Sequence, residues 1–160
     1  MAEIAAHIKL TGPGSRLEKV TVPLEPADWH SFATESVWAE RLDDERFRIA
    51  NVPFLAKGLS LGDVVCASRS PSGFEFVRVE VRGGHSTYRF VLRAGTADGA
   101  WLPYWVPLEH VGCTFERATE RLVAVDVPPS TNIHDAFRLL EDGERAGVWT
   151  FEEGHCGHKV

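Results

Sequence analysis

The sequence predicts an α+β protein in which a β-rich first half packs on a second half that combines strands and helices. Short runs of alternating apolar residues, separated by glycine, proline and aspartate, fill residues 18–82. Beyond Gly83-Gly84 the predicted elements follow the order β-α-β-β-α-β. We therefore expect a small antiparallel β-barrel-like module over residues 1–83 and a ferredoxin-like βαββαβ sandwich over residues 84–160.

The strands of the first half are predicted from residues that alternate between two faces with a period of two. In the run at 75–82, Val77, Val79 and Val81 share one face and charged residues occupy the other. The acidic stretch Asp43-Asp44-Glu45 between two apolar runs indicates a hairpin. The runs with this pattern lie at 18–25, 35–42, 47–54 and 75–82.

Two helices are expected in the second half. Residues 101–112 predict a short helix, although Pro107 removes a backbone donor from it. Residues 132–147 predict a longer one, with Asn132 as its N-cap and Gly147 at its end. Both helices would cover one face of a four-stranded sheet, and the other face would need the first half, a second copy or a ligand as its cover. Trp149 and Phe151 on the last strand are the expected residues of that second face.

Charge and cysteine usage narrow the classes of function. The chain has 160 residues and a net charge of −6, which disfavours nucleic acid and anionic lipid as partners. No apolar run reaches the length of a membrane span, and the first ten residues lack the pattern of a secretion signal. Three widely spaced cysteines are typical of a reducing compartment. We expect a cytoplasmic protein without membrane or nucleic-acid partners.

Several stretches are informative in combination: ESVWAERL at 35–42, NVPF at 51–54, GLSLGDVV at 58–65, GGHSTYR at 83–89, AVDVPPS at 124–130, and the closing WTFEEGHCGH. Together they resemble a bacterial family described as domain of unknown function 4265, from about Glu35 onward. The resemblance implies a cytoplasmic bacterial protein. It implies no established activity and no catalytic residues.

A basic surface is the first candidate site. Four arginines lie on two predicted strands joined by a glycine-rich turn, and each pair shares one face of its strand. Coinciding faces would form a stripe suited to a phosphate, a carboxylate or an acidic protein surface. Pairing of these arginines with the glutamates at 75, 80 and 116 is the alternative. The residues of the predicted ligand site are Arg78, Arg82, His85, Ser86, Arg89 and Arg93.

Cysteine and histidine chemistry provides the competing hypothesis. His155, Cys156 and His158 near the end of the chain are ligand types that zinc accepts, but no second pair of ligands accompanies them. His110 and Cys113 could form a nucleophilic pair if they met in a pocket. No P-loop, dinucleotide-binding or zinc-protease motif occurs.

We therefore expect a non-catalytic binding or regulatory protein without a cofactor, which recognises a protein partner or a small anionic ligand. A homodimer through the free sheet face is a further expectation. The alternative is a Cys/His-centred enzyme, or a metal-binding protein that holds zinc in its terminal segment.

Overall fold

The computed structural model describes residues 3–4 and 17–160. Residues 1–2 and 5–16, which belong to the predicted first module, lie outside the described residues. Within the described part the chain is α+β and forms, in order, β1 (Glu3–Ile4), β2 (Leu17–Pro23), β3 (Thr34–Arg41), β4 (Arg46–Ile49), β5 (Val64–Ser70), β6 (Gly73–Val81), β7 (Ser86–Leu92), α1 (Leu102–His110), β8 (Thr114–Arg117), β9 (Leu122–Val127), α2 (Ile133–Arg145) and β10 (Trp149–His155).

The first six strands make one sheet with the order β1-β3-β2-β6-β5-β4, and an added β3–β4 pairing turns β2 to β6 into a ring. The sheet is mostly antiparallel, as expected, but β1–β3 and β2–β6 are parallel pairs. The architecture is a ring-like sheet and not the antiparallel barrel that short, regularly spaced strands predict. Parallel strands cannot be joined by a hairpin turn and need a long connection. The chain between β2 and β6 is long enough to provide it.

Strand β6 departs from the expected period of two. Its pairing with β5 skips Val77 between Phe76 and Arg78, and skips Glu80 between Val79 and Val81. Each skipped residue shifts the strand face by one position. Val77 and Val81 are consequently 49% and 56% exposed, and Phe74, Phe76 and Val79 face the core instead. The predicted valine face is therefore wrong.

The remaining four strands form an antiparallel sheet in the order β10-β7-β9-β8. Tyr88, Phe90 and Leu92 point from β7 into a core shared with both helices, as their alternation predicts. Asn132 caps α2 by accepting hydrogen bonds from the N–H groups of His134 and Asp135. These local patterns are confirmed.

The first half covers the second face of this sheet. Leu122 and Ala124 on β9 belong to the core of the ring-like sheet, and Val91 on β7 packs against it. Trp149 and Phe151 lie on the helix face instead, where Trp149 stacks on Phe90, so their predicted location is wrong. A homodimer stays a prediction and would use another surface.

Candidate anion-binding site

The four predicted arginines do not form one stripe, because β6 and β7 belong to different sheets. Arg78 pairs with Glu80 at 3.0 Å on the surface, one of the pairings that the sequence left open. Arg82 pairs with the buried Asp63 at 3.0 Å and donates to the Gly58 carbonyl. Arg82 therefore ties the end of β6 to the loop between β4 and β5, whereas the Arg78–Glu80 pair lies within a single exposed strand.

Arg89 is only 1% exposed and is out of reach of a ligand in solvent. Its Nη2 donates to the Ala56 carbonyl at 3.0 Å, and its Nε lies 3.8 Å from the Glu152 carboxylate. Burial lowers the pKa of the Arg89 guanidinium, since desolvation disfavours its charge. A Cβ at residue 154 would lie 2.1 Å from Arg89 Nη2, so a larger residue at this position in β10 would force the guanidinium to shift. Arg89 joins the two halves of the protein.

His85 and Ser86 belong to a partly buried polar junction. His85 Nδ1 lies 2.8 Å from the Asp126 carboxylate. Burial raises the pKa of Asp126, and the hydrogen bond with His85 opposes this shift. Ser86 Oγ lies 2.6 Å from His158 Nδ1 and accepts the N–H of Gly157 at 2.9 Å. Ser86 is fully buried, which assigns its hydroxyl to holding the terminal segment.

The terminal segment lies along this junction, and its three predicted metal ligands make separate contacts. His158 Nε2 lies 3.0 Å from the Pro128 carbonyl, so both of its ring nitrogens are engaged. Cys156 donates its thiol to the His158 carbonyl at 3.6 Å. His155 Nε2 is buried without a hydrogen-bond partner, and burial lowers the pKa of this imidazole. Among the described residues no three His, Cys, Asp or Glu side chains are placed to hold a metal ion.

His110 and Cys113 lie at the end of α1 but do not share a pocket. Cys113 is buried in the core between the helices and the sheet, and burial raises its pKa to about 12. His110 is exposed on the last turn of the helix. A thiol with that pKa stays protonated near neutral pH, which opposes its use as a nucleophile.

The last of the four arginines, Arg93, borders a cleft of about 630 Å³ at the end of β7. Two arginines that the sequence analysis did not select face the same space: Arg117 from the end of β8, and Arg121 from the turn between β8 and β9. We call this space the arginine cleft. Its other polar lining residues are Thr96, Asp98, Thr119 and Glu120.

Contacts to neighbouring groups hold two of these arginines in place. The Arg117 guanidinium lies over the Trp101 ring, 5.5 Å from its centroid, and Nη2 donates to the Glu120 carbonyl. Arg121 Nε donates to the Leu92 carbonyl at 2.7 Å. Each contact leaves further N–H donors free, because a guanidinium carries five. The cleft therefore presents two guanidinium groups held by protein contacts, with further N–H donors available to an anion.

The arginines of this cleft also differ from the others in their ion pairing. Among residues 17–160, eight arginines lie within 4.0 Å of a carboxylate: Arg41, Arg46, Arg48, Arg78, Arg82, Arg89, Arg138 and Arg145. Over the same range the four arginines without such a pair are Arg69, Arg93, Arg117 and Arg121, and three of these line the arginine cleft.

Arg117 and Arg121 were missed because they flank a tight turn, whose charged residues by themselves indicate only a solvated loop. Their proximity to Arg93 follows from the strand order, since β9 runs antiparallel to β7 and Leu122 pairs with Val91. A βαββαβ assignment with that order brings the end of β7 beside the start of β9. The proximity of these arginines is therefore indicated by the order of the strands and not by any local sequence pattern.

Sequence and structure both show similarity to known proteins. The family model of domain of unknown function 4265 matches residues 35–151, so the chain belongs to this family, and the resemblance seen in the sequence is confirmed. The structure is similar to the crystal structure of a hypothetical protein from Neisseria gonorrhoeae, with a TM-score of 0.74 and 22% sequence identity over 89% of this chain and 96% of that chain. This likeness concerns the fold. No curated protein matches the chain.

No helix in residues 3–4 and 17–160 combines the length and apolar character that crossing a bilayer requires.

Proposed function

We propose that this protein is a non-catalytic binding protein that recognises a small anionic ligand in the arginine cleft. The observation that carries the proposal is the set of three guanidinium groups without ion pairs, which line one cleft from the end of β7 and from the two sides of the turn between β8 and β9. In a chain with a net charge of −6, cations left without carboxylate partners in one concave space indicate an anionic guest.

The dimensions and chemistry of the cleft define the class of ligand. Its volume of about 630 Å³ lies within the range of small-molecule sites. Arginine forms paired hydrogen bonds with the oxygens of phosphates and carboxylates, so either group suits Arg93, Arg117 and Arg121. Asp98 and Glu120 lie in the same cleft and can accept hydrogen bonds from neutral parts of the ligand.

Amide chemical-shift mapping tests the proposal. Inorganic phosphate and pyrophosphate are titrated into isotopically labelled protein at constant ionic strength. We expect saturable shifts at the amides of Gly95, Gly99 and Thr119, which line the cleft. Arg117→Gln should remove them, because it removes a charged donor while keeping most of the side-chain volume.

Arg145→Gln is the matched control. Arg145 is an exposed arginine on α2 that pairs with Asp142 at 3.2 Å. This variant changes the net charge by the same amount at another place, so its titration should equal that of the wild type. Shifts that never saturate, or that are identical in both variants, would reject the arginine cleft as a binding site.

We further infer that the second half is a ferredoxin-like sandwich. Residues 1–83 and 84–160 are then the two modules of the protein. The element order β-α-β-β-α-β and the strand order β10-β7-β9-β8 support the first inference. A cytoplasmic location in a bacterium belongs to the same proposal. Its support is the absence of disulfide bonds, since Cys66, Cys113 and Cys156 are free.

A further inference from the structure

A second cleft adjoins the first and is mainly apolar. It measures about 490 Å³ and lies between the loop that joins β2 to β3 and the second sheet. The loop contributes Trp29, His30 and Phe32, and the floor contains Leu55, Val91 and Leu122. We call it the apolar cleft.

The aromatic wall of the apolar cleft is fixed in position although it is accessible. Trp29 is 55% exposed, and its indole Nε1 donates to the Glu152 carboxylate at 3.3 Å. His30 stacks on Phe32 with 6.0 Å between ring centroids. Lys57 pairs with Asp28 at 2.9 Å and ties the same loop to the segment that carries Leu55. An exposed aromatic side chain that continues into an apolar floor forms a contiguous apolar surface, which is typical of a binding site.

The two clefts share Thr119, Glu120 and Arg121, so the turn between β8 and β9 is their common wall. The adjacent residues Val91 and Leu92 at the end of β7 line the apolar cleft and the arginine cleft respectively. Successive strand residues point to opposite faces, so the clefts lie on the two sides of the sheet and meet at its edge. A ligand that occupies both must pass around this edge.

We propose that the ligand is an anionic amphiphile, whose charged head lies in the arginine cleft and whose alkyl chain passes around the turn into the apolar cleft. The inference rests on the proposed function and adds the chemistry of the rest of the ligand. The unpaired guanidinium groups and the adjoining apolar floor together complement such a molecule.

Isothermal titration with linear carboxylates of increasing length, from butyrate to decanoate below its micellar concentration, tests this inference. Once the chain reaches the apolar cleft, each added methylene should raise the affinity by about two- to fourfold. Trp29→Ala should flatten the dependence on length, and Trp29→Phe should keep most of it. Arg117→Gln should lower the affinities for butyrate and decanoate by the same factor.

The outcomes separate this inference from the proposed function. Butyrate and decanoate that bind equally, with both weakened by Arg117→Gln, would overturn the amphiphile and leave the anion site intact. If Arg117→Gln leaves the affinity for decanoate unchanged, the charged head does not lie in the arginine cleft. Absence of any binding by carboxylates, phosphate and pyrophosphate would overturn both proposals. Arg145→Gln serves again as the charge-matched control.

Discussion

Glu35 on β3 should be one of the side chains on which folding depends most. It is fully buried, and one carboxylate oxygen accepts from the N–H of Phe54. The other accepts from Leu55 at 2.9 Å and Ala56 at 2.8 Å. The carboxylate therefore holds the loop between β4 and β5, which includes a residue of the apolar cleft floor.

Glu35→Gln keeps the shape and replaces one acceptor oxygen by an NH₂ group. In either orientation of the amide, this group faces at least one backbone N–H, so at least one bond is lost and one donor is left buried. Hydrogen bonds to charged groups contribute about 1.5–3 kcal/mol, and a buried unsatisfied donor costs about 1–3 kcal/mol. We expect the free energy of unfolding to fall by about 3 kcal/mol.

Urea unfolding followed by circular dichroism measures this loss. With a slope of about 2 kcal/mol/M, the midpoint should fall by about 1.5 M. Glu40→Gln is the control, because Glu40 lies on the same strand and pairs with Arg48 at the surface. It should change the free energy of unfolding by less than about 1 kcal/mol. Equal midpoints for the two variants would refute the reasoning.

Three further predictions concern the terminal segment and the core. Gly154→Ala should lower the free energy of unfolding by about 1–3 kcal/mol, because its Cβ would clash with Arg89, and an unchanged urea midpoint would contradict this. Iodoacetamide at pH 8 should modify Cys156 before Cys113, whose buried thiol has a pKa of about 12, and peptide mass mapping that finds equal rates would oppose it. Burial lowers the pKa of His155, so the unfolded chain binds this proton at higher pH than the folded chain. The free energy of unfolding should therefore lose nothing to His155 above pH 6.5 and should decrease as the pH falls below that value. Melting curves of His155→Gln should lack this part of the pH dependence.

Much of the fold could be predicted because its signals are local. The alternation of Tyr88, Phe90 and Leu92 indicates which face of β7 is buried, and the Asn132 amide satisfies the first N–H groups of α2. Such patterns act within a few residues, so they can be recognised before any tertiary contact is known.

Other features depend on contacts between distant segments. The bulges at Val77 and Glu80 arise from pairing with β5, and nothing in the β6 run itself marks them. The alternation of Arg89 with apolar residues predicts an exposed guanidinium, yet the ring-like sheet covers its face of β7. The convergence of Arg117 and Arg121 with Arg93 required the strand order.

The affinity of pyrophosphate for the arginine cleft tests the central claim most directly. Isothermal titration at one ionic strength compares the wild type with Arg93→Gln, Arg121→Gln and the control Arg145→Gln. A charge-assisted hydrogen bond contributes at least about 1.4 kcal/mol, so each cleft variant should bind about tenfold or more weakly, and the control should bind like the wild type. Equal affinity in all four proteins would contradict the account.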